Sequence, residues 1–179
     1  LEFEAKKERS DFIKDCKKLL KVALNEIMVQ SKENRWADYE DGFPTKIDFV
    51  GASSSGDSIY IIEAKHGGSS SDKLYYSPIQ VASYAIAWSK AIKIKGFLGT
   101  VNELIRSKKQ ASLIPDYCKE IVPNPTITPV LLLPVDKMSK EVKKRLHIVL
   151  DVCNKHLPNG VSKIVVWDCE STESCQTVT

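Results

Sequence analysis

The chain has no stretch approaching the roughly 18 consecutive apolar residues of a membrane span, and no apolar signal core stands behind Lys6, Lys7 and Arg9. A soluble chain with no membrane partner is expected. Five cysteines, Cys16, Cys118, Cys153, Cys169 and Cys175, form no Cys-x-x-Cys pair. Their scatter fits neither a zinc site nor a disulfide framework, so reduced thiols in an intracellular compartment are expected. No Gly-x-x-x-x-Gly-Lys occurs, which removes the nucleotide-binding phosphate loop. Glycine and proline number 8 each in 179 residues, too few for a collagen-like or disordered chain. With 26 Lys and Arg against 23 Asp and Glu, the net charge of +3 is too small for bulk charge to argue for nucleic acid or membrane. Only local charge placement carries information.

What remains is an ordinary globular composition, 42% hydrophobic and 27% charged. At about 150 residues per domain, residues 1–179 predict a single domain, with its core over about 10–101 and later elements over 126–169. A start on Leu1 rather than Met is compatible with a domain cut from a longer protein. Ser10 and Asp11 supply a helix cap ahead of Phe12, Ile13, Cys16, Leu19, Leu20, Ala23, Ile27 and Met28, which recur at amphipathic helical spacing. Lys14, Lys17, Lys18 and Lys21 take the other face, as solvated lysines or as a phosphate-binding surface. After the turn signals Asp41-Gly42 and Pro44, residues 46–52 alternate as a strand, 53–57 form a polar tip, and 58–65 return as a second strand. Gly67 to Ser71 then reads as a flexible loop, and Ser77-Pro78 as a helix start running to about Ala91. Strands are expected over 92–101 and 128–135, with partly helical and then turn-rich chain between them. A helix follows through Val142, Leu146, Val149, Leu150 and Cys153, then a last strand over 162–169 and a frayed tail after Glu170. This order predicts an α/β fold, a mixed central β-sheet flanked by helices.

The chemistry is concentrated in the hairpin. Glu63 and Lys65 are two apart on one strand, so they project on the same side, about 6.6 Å apart along the backbone, in line with Ile59 and Ile61. If the two strands pair across the tip, Asp48 lies beside Glu63. Two carboxylates that close repel unless a cation joins them. Mg²⁺ or Mn²⁺ suits the arrangement, because a hard ion keeps several waters and takes one or two carboxylates, here Asp48 and Glu63, with the Ala64 carbonyl as a third oxygen. Lys65 would then stabilise negative charge on a phosphodiester.

An acidic residue on one strand followed by Glu-x-Lys on the next resembles the PD-(D/E)xK nuclease superfamily, with Asp48 as the first acid and Glu63-Ala64-Lys65 as the second motif. Ile47, not proline, directly precedes Asp48, and Pro44 lies four back. Gln80 and Tyr84, four apart on a helix, are similar to the Gln-xxx-Tyr pair of RecB-like members. The resemblance spans about residues 10–101. It implies a restriction-endonuclease-like αβββαβ core and a metal-dependent nuclease acting on DNA in preference to RNA. Asp48 and Glu63 would be metal ligands, Lys65 the charge stabiliser, and Gln80 and Tyr84 substrate or supporting residues. Glu26 on the preceding helix would be a further ligand or base, with Glu33 its competitor.

Each piece also has a plain reading. Gln80 is equally the third member of a capping box opened by Ser77, and Tyr84 with Trp88 reads more readily as core packing. His66 falls on the opposite strand face from Glu63 and Lys65, while His147 and His156 match no metal spacing. Lys140, Lys143, Lys144 and Arg145 read as a solvent-facing helix side. The competing functional class is a catalytically silent nuclease-like module that binds nucleic acid or a protein partner. An intact Asp48, Glu63 and Lys65 favours catalysis.

Overall fold

The computed structural model describes residues 21–22, 25–26, 46–65, 71–170 and 174–178. The expected first helix lies outside the described residues except for those four helical positions, and Glu33, His66 and Cys16 lie outside them altogether.

Strand β1 (Phe49–Ala52) and strand β2 (Ser58–Ala64) form the expected antiparallel hairpin, with Phe49 opposite Ile62 and Ala52 opposite Ile59. The tip closes because Gly56 takes a φ of 78°, a left-handed conformation, and a Cβ there would meet the Glu120 carbonyl oxygen at 2.0 Å. Asp57 accepts hydrogen bonds from the hydroxyls of Ser53, at 2.8 Å, and Ser58, at 3.1 Å, and these hydroxyls hold its carboxyl below the usual carboxylate range.

Helix α1 (Ser71–Ala91) begins about a turn and a half earlier than Ser77-Pro78 predicts. Pro78 sits inside it and has no N–H for the Leu74 carbonyl four residues back, and the Ser77 hydroxyl donates to that oxygen at 2.6 Å. Ser77 is therefore a repair within the helix rather than its cap, and the capping-box reading of Gln80 falls with it. The strand expected over 92–101 is also corrected. Residues 92–96 turn, with Gly96 at φ 88°, into helix α2 (Phe97–Gln110). Leu98, Val101 and Ile105 recur at helical spacing and pack on the core, and Phe97 meets Trp88 edge-on at 5.4 Å between ring centres. A short apolar run is ambiguous in sequence, and these contacts select helix.

Strand β3 (Thr126–Leu133) is followed by one turn of 3₁₀ helix (Val135–Lys137) and by helix α3 (Lys140–His156), whose Val142 amide is capped by the Ser139 hydroxyl. Strand β4 (Val165–Glu170) starts slightly later than expected. Beyond it, strand β5 (Ser174–Val178) pairs antiparallel with β4, so the tail expected to fray adds a strand. The sheet among the described residues runs β1-β2-β3-β4-β5, parallel through β2, β3 and β4 and antiparallel at both margins. The α/β class with a mixed sheet is as read from the sequence.

One face of the sheet carries the core. Helix α1 packs against β2, β3 and α3. Ile59, Ile61, Ile127, Leu131 and Leu133 meet Val81, Ala85, Leu146 and Val149 there in one cluster. β3, between two parallel neighbours, is nearly continuous in buried residues. No helix among the described residues is long and apolar enough to cross a membrane.

Candidate active site

Along β2 every second residue is buried: Ile59 is 2% exposed, Ile61 0% and Glu63 3%. The strand period that sends two isoleucines into the core sends a carboxylate after them. Continuing the β1–β2 register by one residue sets Asp48 opposite Glu63. Asp48 is held there because its Oδ2 accepts the Ala64 amide at 2.9 Å, a bond that replaces the ladder where β1 has not yet begun. Lys65 turns its ammonium onto Glu63 Oε1, while its own amide donates to the Leu132 carbonyl at 2.9 Å. Tyr84, 4% exposed, reaches from α1 and donates its hydroxyl to the Lys46 carbonyl two residues before Asp48. The lead-in to β1 is thus fastened on both sides of Ile47.

Electrostatics single out Glu63. Burial pushes the Glu63 carboxyl above its ordinary value, the neighbouring Lys65 opposes this, and the charge of Asp48 adds to it. Asp48 itself is exposed. The Tyr84 phenol is raised first by burial and then by the charge of Glu63, with a smaller push from Asp48. Those couplings place Tyr84 within the field of both acids, so structure and chemistry meet at this residue.

A hard divalent ion fits the donor set by a test internal to the site. Glu63 Oε2 is buried and accepts no hydrogen bond. A buried carboxylate oxygen without a donor costs about 1–3 kcal/mol. An ion shared with exposed Asp48 would satisfy it while keeping the remaining positions open to water. Among the described residues no group of three or more His, Cys, Asp and Glu side chains assembles.

The other predicted residues are placed as follows. Gln80 is half-buried, one helical turn before Tyr84 on α1. Glu26 is engaged elsewhere: its carboxylate accepts from Lys155 Nζ at 2.7 Å and contacts His156 Nε2 at 2.7 Å, at the end of α3. Sequence reasoning did not find these two partners, since they lie about 130 residues away and follow no motif. It also missed the Lys46 carbonyl, because a backbone acceptor has no residue signature. Comparison of the chain with family models, with curated proteins and with solved structures finds no match in any of the three.

Proposed function

We propose that the chain is a metal-dependent nuclease of the PD-(D/E)xK type, with a restriction-endonuclease-like core, hydrolysing phosphodiester bonds in DNA in preference to RNA. The observation that carries this reading is the buried Glu63, with one oxygen on Lys65, the other without a donor, and Asp48 alongside. Asp48 and Glu63 would hold Mg²⁺ or Mn²⁺, with the Ala64 carbonyl as the backbone oxygen. When bound, such an ion neutralises phosphate charge and makes water acidic enough to attack.

The remaining work falls to the chain's own groups. Lys65, on the same side of the strand as Glu63, presents a fixed ammonium to the charge that develops on the phosphoryl oxygens, and its pre-placement lowers the reorganisation needed during reaction. Tyr84 positions Asp48 by anchoring the Lys46 carbonyl, and the Ala64 amide fixes the Asp48 carboxylate from the opposite side. Gln80, one turn along the same helix, is assigned to substrate contact or site support.

The test is incubation of the protein with supercoiled DNA, single-stranded DNA and RNA in Mg²⁺, Mn²⁺ or EDTA. Cleavage in either metal, lost in EDTA and strongly reduced in Lys65→Ala, is expected. Nucleic-acid binding without cleavage under every metal would replace this reading with a silent binding module. Calorimetric titration with Mn²⁺ separates the two earlier, because a silent module with no ion site gives no saturable heat.

A further inference from the structure

We propose that Cys169 and Cys175 form a reversible disulfide that ties β5 to β4. The two residues are direct partners in the antiparallel ladder. Their pairing is framed by Trp167 opposite Thr177, Asp168 opposite Gln176, and Glu170 opposite Ser174, so it lies inside the ladder rather than at its end. Directly opposed residues of an antiparallel pair share a face of the sheet, with Cα atoms about 4.5 or 5.5 Å apart. A disulfide closes across Cα separations of about 4.4–6.8 Å, a range that includes the ordinary spacing of directly opposed residues. The sequence separation of the two cysteines matches no motif, and only the strand pairing makes them neighbours.

The other described cysteines offer no such arrangement. Cys153 is buried in α3, and burial pushes its thiol up to about 12, which keeps it protonated and inert. Cys118 is a half-buried free thiol in the connection before β3. Neither belongs to a strand pair with a second cysteine.

The co-reactant is a low-molecular-weight disulfide such as oxidised glutathione. The thiolate of one cysteine attacks a sulfur of the reagent, forming a mixed disulfide and releasing one small thiol. The second cysteine then attacks the protein sulfur of that mixed disulfide and releases the other small thiol. Two protein thiols lose two electrons and two protons, and one reagent disulfide becomes two thiols. The product fastens the marginal strand β5, which among the described residues pairs with β4 alone, to the body of the sheet. This inference is independent of the nuclease reading.

The experiment uses the full chain, equilibrated in buffers of oxidised and reduced glutathione, then alkylated and cleaved after glutamate. Glu170 and Glu173 lie between the two cysteines, so cleavage separates them unless sulfur joins them. Expected in the oxidising buffer are the loss of two alkylatable thiols, a crosslink between the Cys169 and Cys175 peptides, and recovery of both thiols with dithiothreitol. The thermal midpoint should rise on oxidation of the natural chain and stay unchanged in Cys175→Ser. Full alkylation of both residues in the oxidising buffer, or recovery of Cys169 joined to any other cysteine or held as a mixed disulfide, would overturn the proposal.

Discussion

Two glutamates in this molecule each face a lysine, and their surroundings drive them in opposite directions. At the end of α3, Glu26 accepts from Lys155 and contacts His156, and these two partners hold its carboxyl below the ordinary value. On β2, Glu63 has Lys65, yet burial outweighs the ammonium and the carboxyl is raised. One is a half-buried carboxylate with two cationic or hydrogen-bonding partners. The other is a charge carried into the core by strand alternation, with one oxygen left without a donor. A lysine neighbour therefore does not define a carboxylate's state; the balance between desolvation and partners does. That imbalance at Glu63 marks the candidate site, since structure tolerates a buried, under-satisfied anion where function uses it.

A large expected effect tests the lysine at the buried end. Lys65→Ala should lower cleavage by about 10²- to 10³-fold, the range for removing one pre-placed stabiliser of developing charge. Rates measured at saturating Mn²⁺ decide it, and unchanged turnover would take Lys65 out of the mechanism. Next comes the anchor that couples helix to hairpin. Tyr84→Phe removes the donor to the Lys46 carbonyl and should cost about 1–2 kcal/mol in urea unfolding, together with weaker Mn²⁺ affinity as Asp48 loses its support.

Glu63→Gln sharpens the comparison, because its two consequences have opposite sign. Cleavage should vanish, while stability in EDTA should rise by about 1 kcal/mol near neutral pH, since the buried charge is gone and the amide oxygen still accepts from Lys65. The pH dependence follows from linkage. A raised native pKa means that the folded state holds the proton to higher pH than the unfolded chain, so the natural protein loses stability as pH rises through that value. The Gln variant should lack this slope, and melts from about pH 4 to about pH 8 compare the two. A Glu63→Gln protein less stable than the natural one throughout would show that the carboxylate is a net structural asset.

The smallest effect belongs to the Glu26 pair at the end of α3. Glu26→Gln should reduce stability slightly at neutral pH, and the difference should disappear as pH falls through the lowered Glu26 value, where the natural carboxylate is itself protonated. Cleavage should persist if the ion site is confined to the hairpin. Its abolition, with stability little changed, would instead draw Glu26 into the reaction.

The hairpin was legible in the sequence because its information is local. Alternation from Ile59 to Lys65 assigns faces, a polar tip closes the turn, and antiparallel pairing across it brings Asp48 to Glu63. Elements whose identity depends on distant partners were not legible in the same way. Residues 97–101 became helix through contacts with Trp88 and the core, although the same apolar run suits a strand. Ser77-Pro78 imitates a helix start, and only the position of the Leu74 carbonyl reveals the serine's actual task. Ser174–Val178 has little strand character until β4 offers it a ladder.

By itself the amino-acid order determined the α/β class, the hairpin, and the side of the strand on which Glu63 and Lys65 stand, because a period of two is a property of the extended backbone. Tertiary structure alone decided that Tyr84 fastens the Lys46 carbonyl and that Glu26 turns to α3. Each of these depends on which segments, far apart in the chain, come to exclude water from one another, and no local periodicity encodes that.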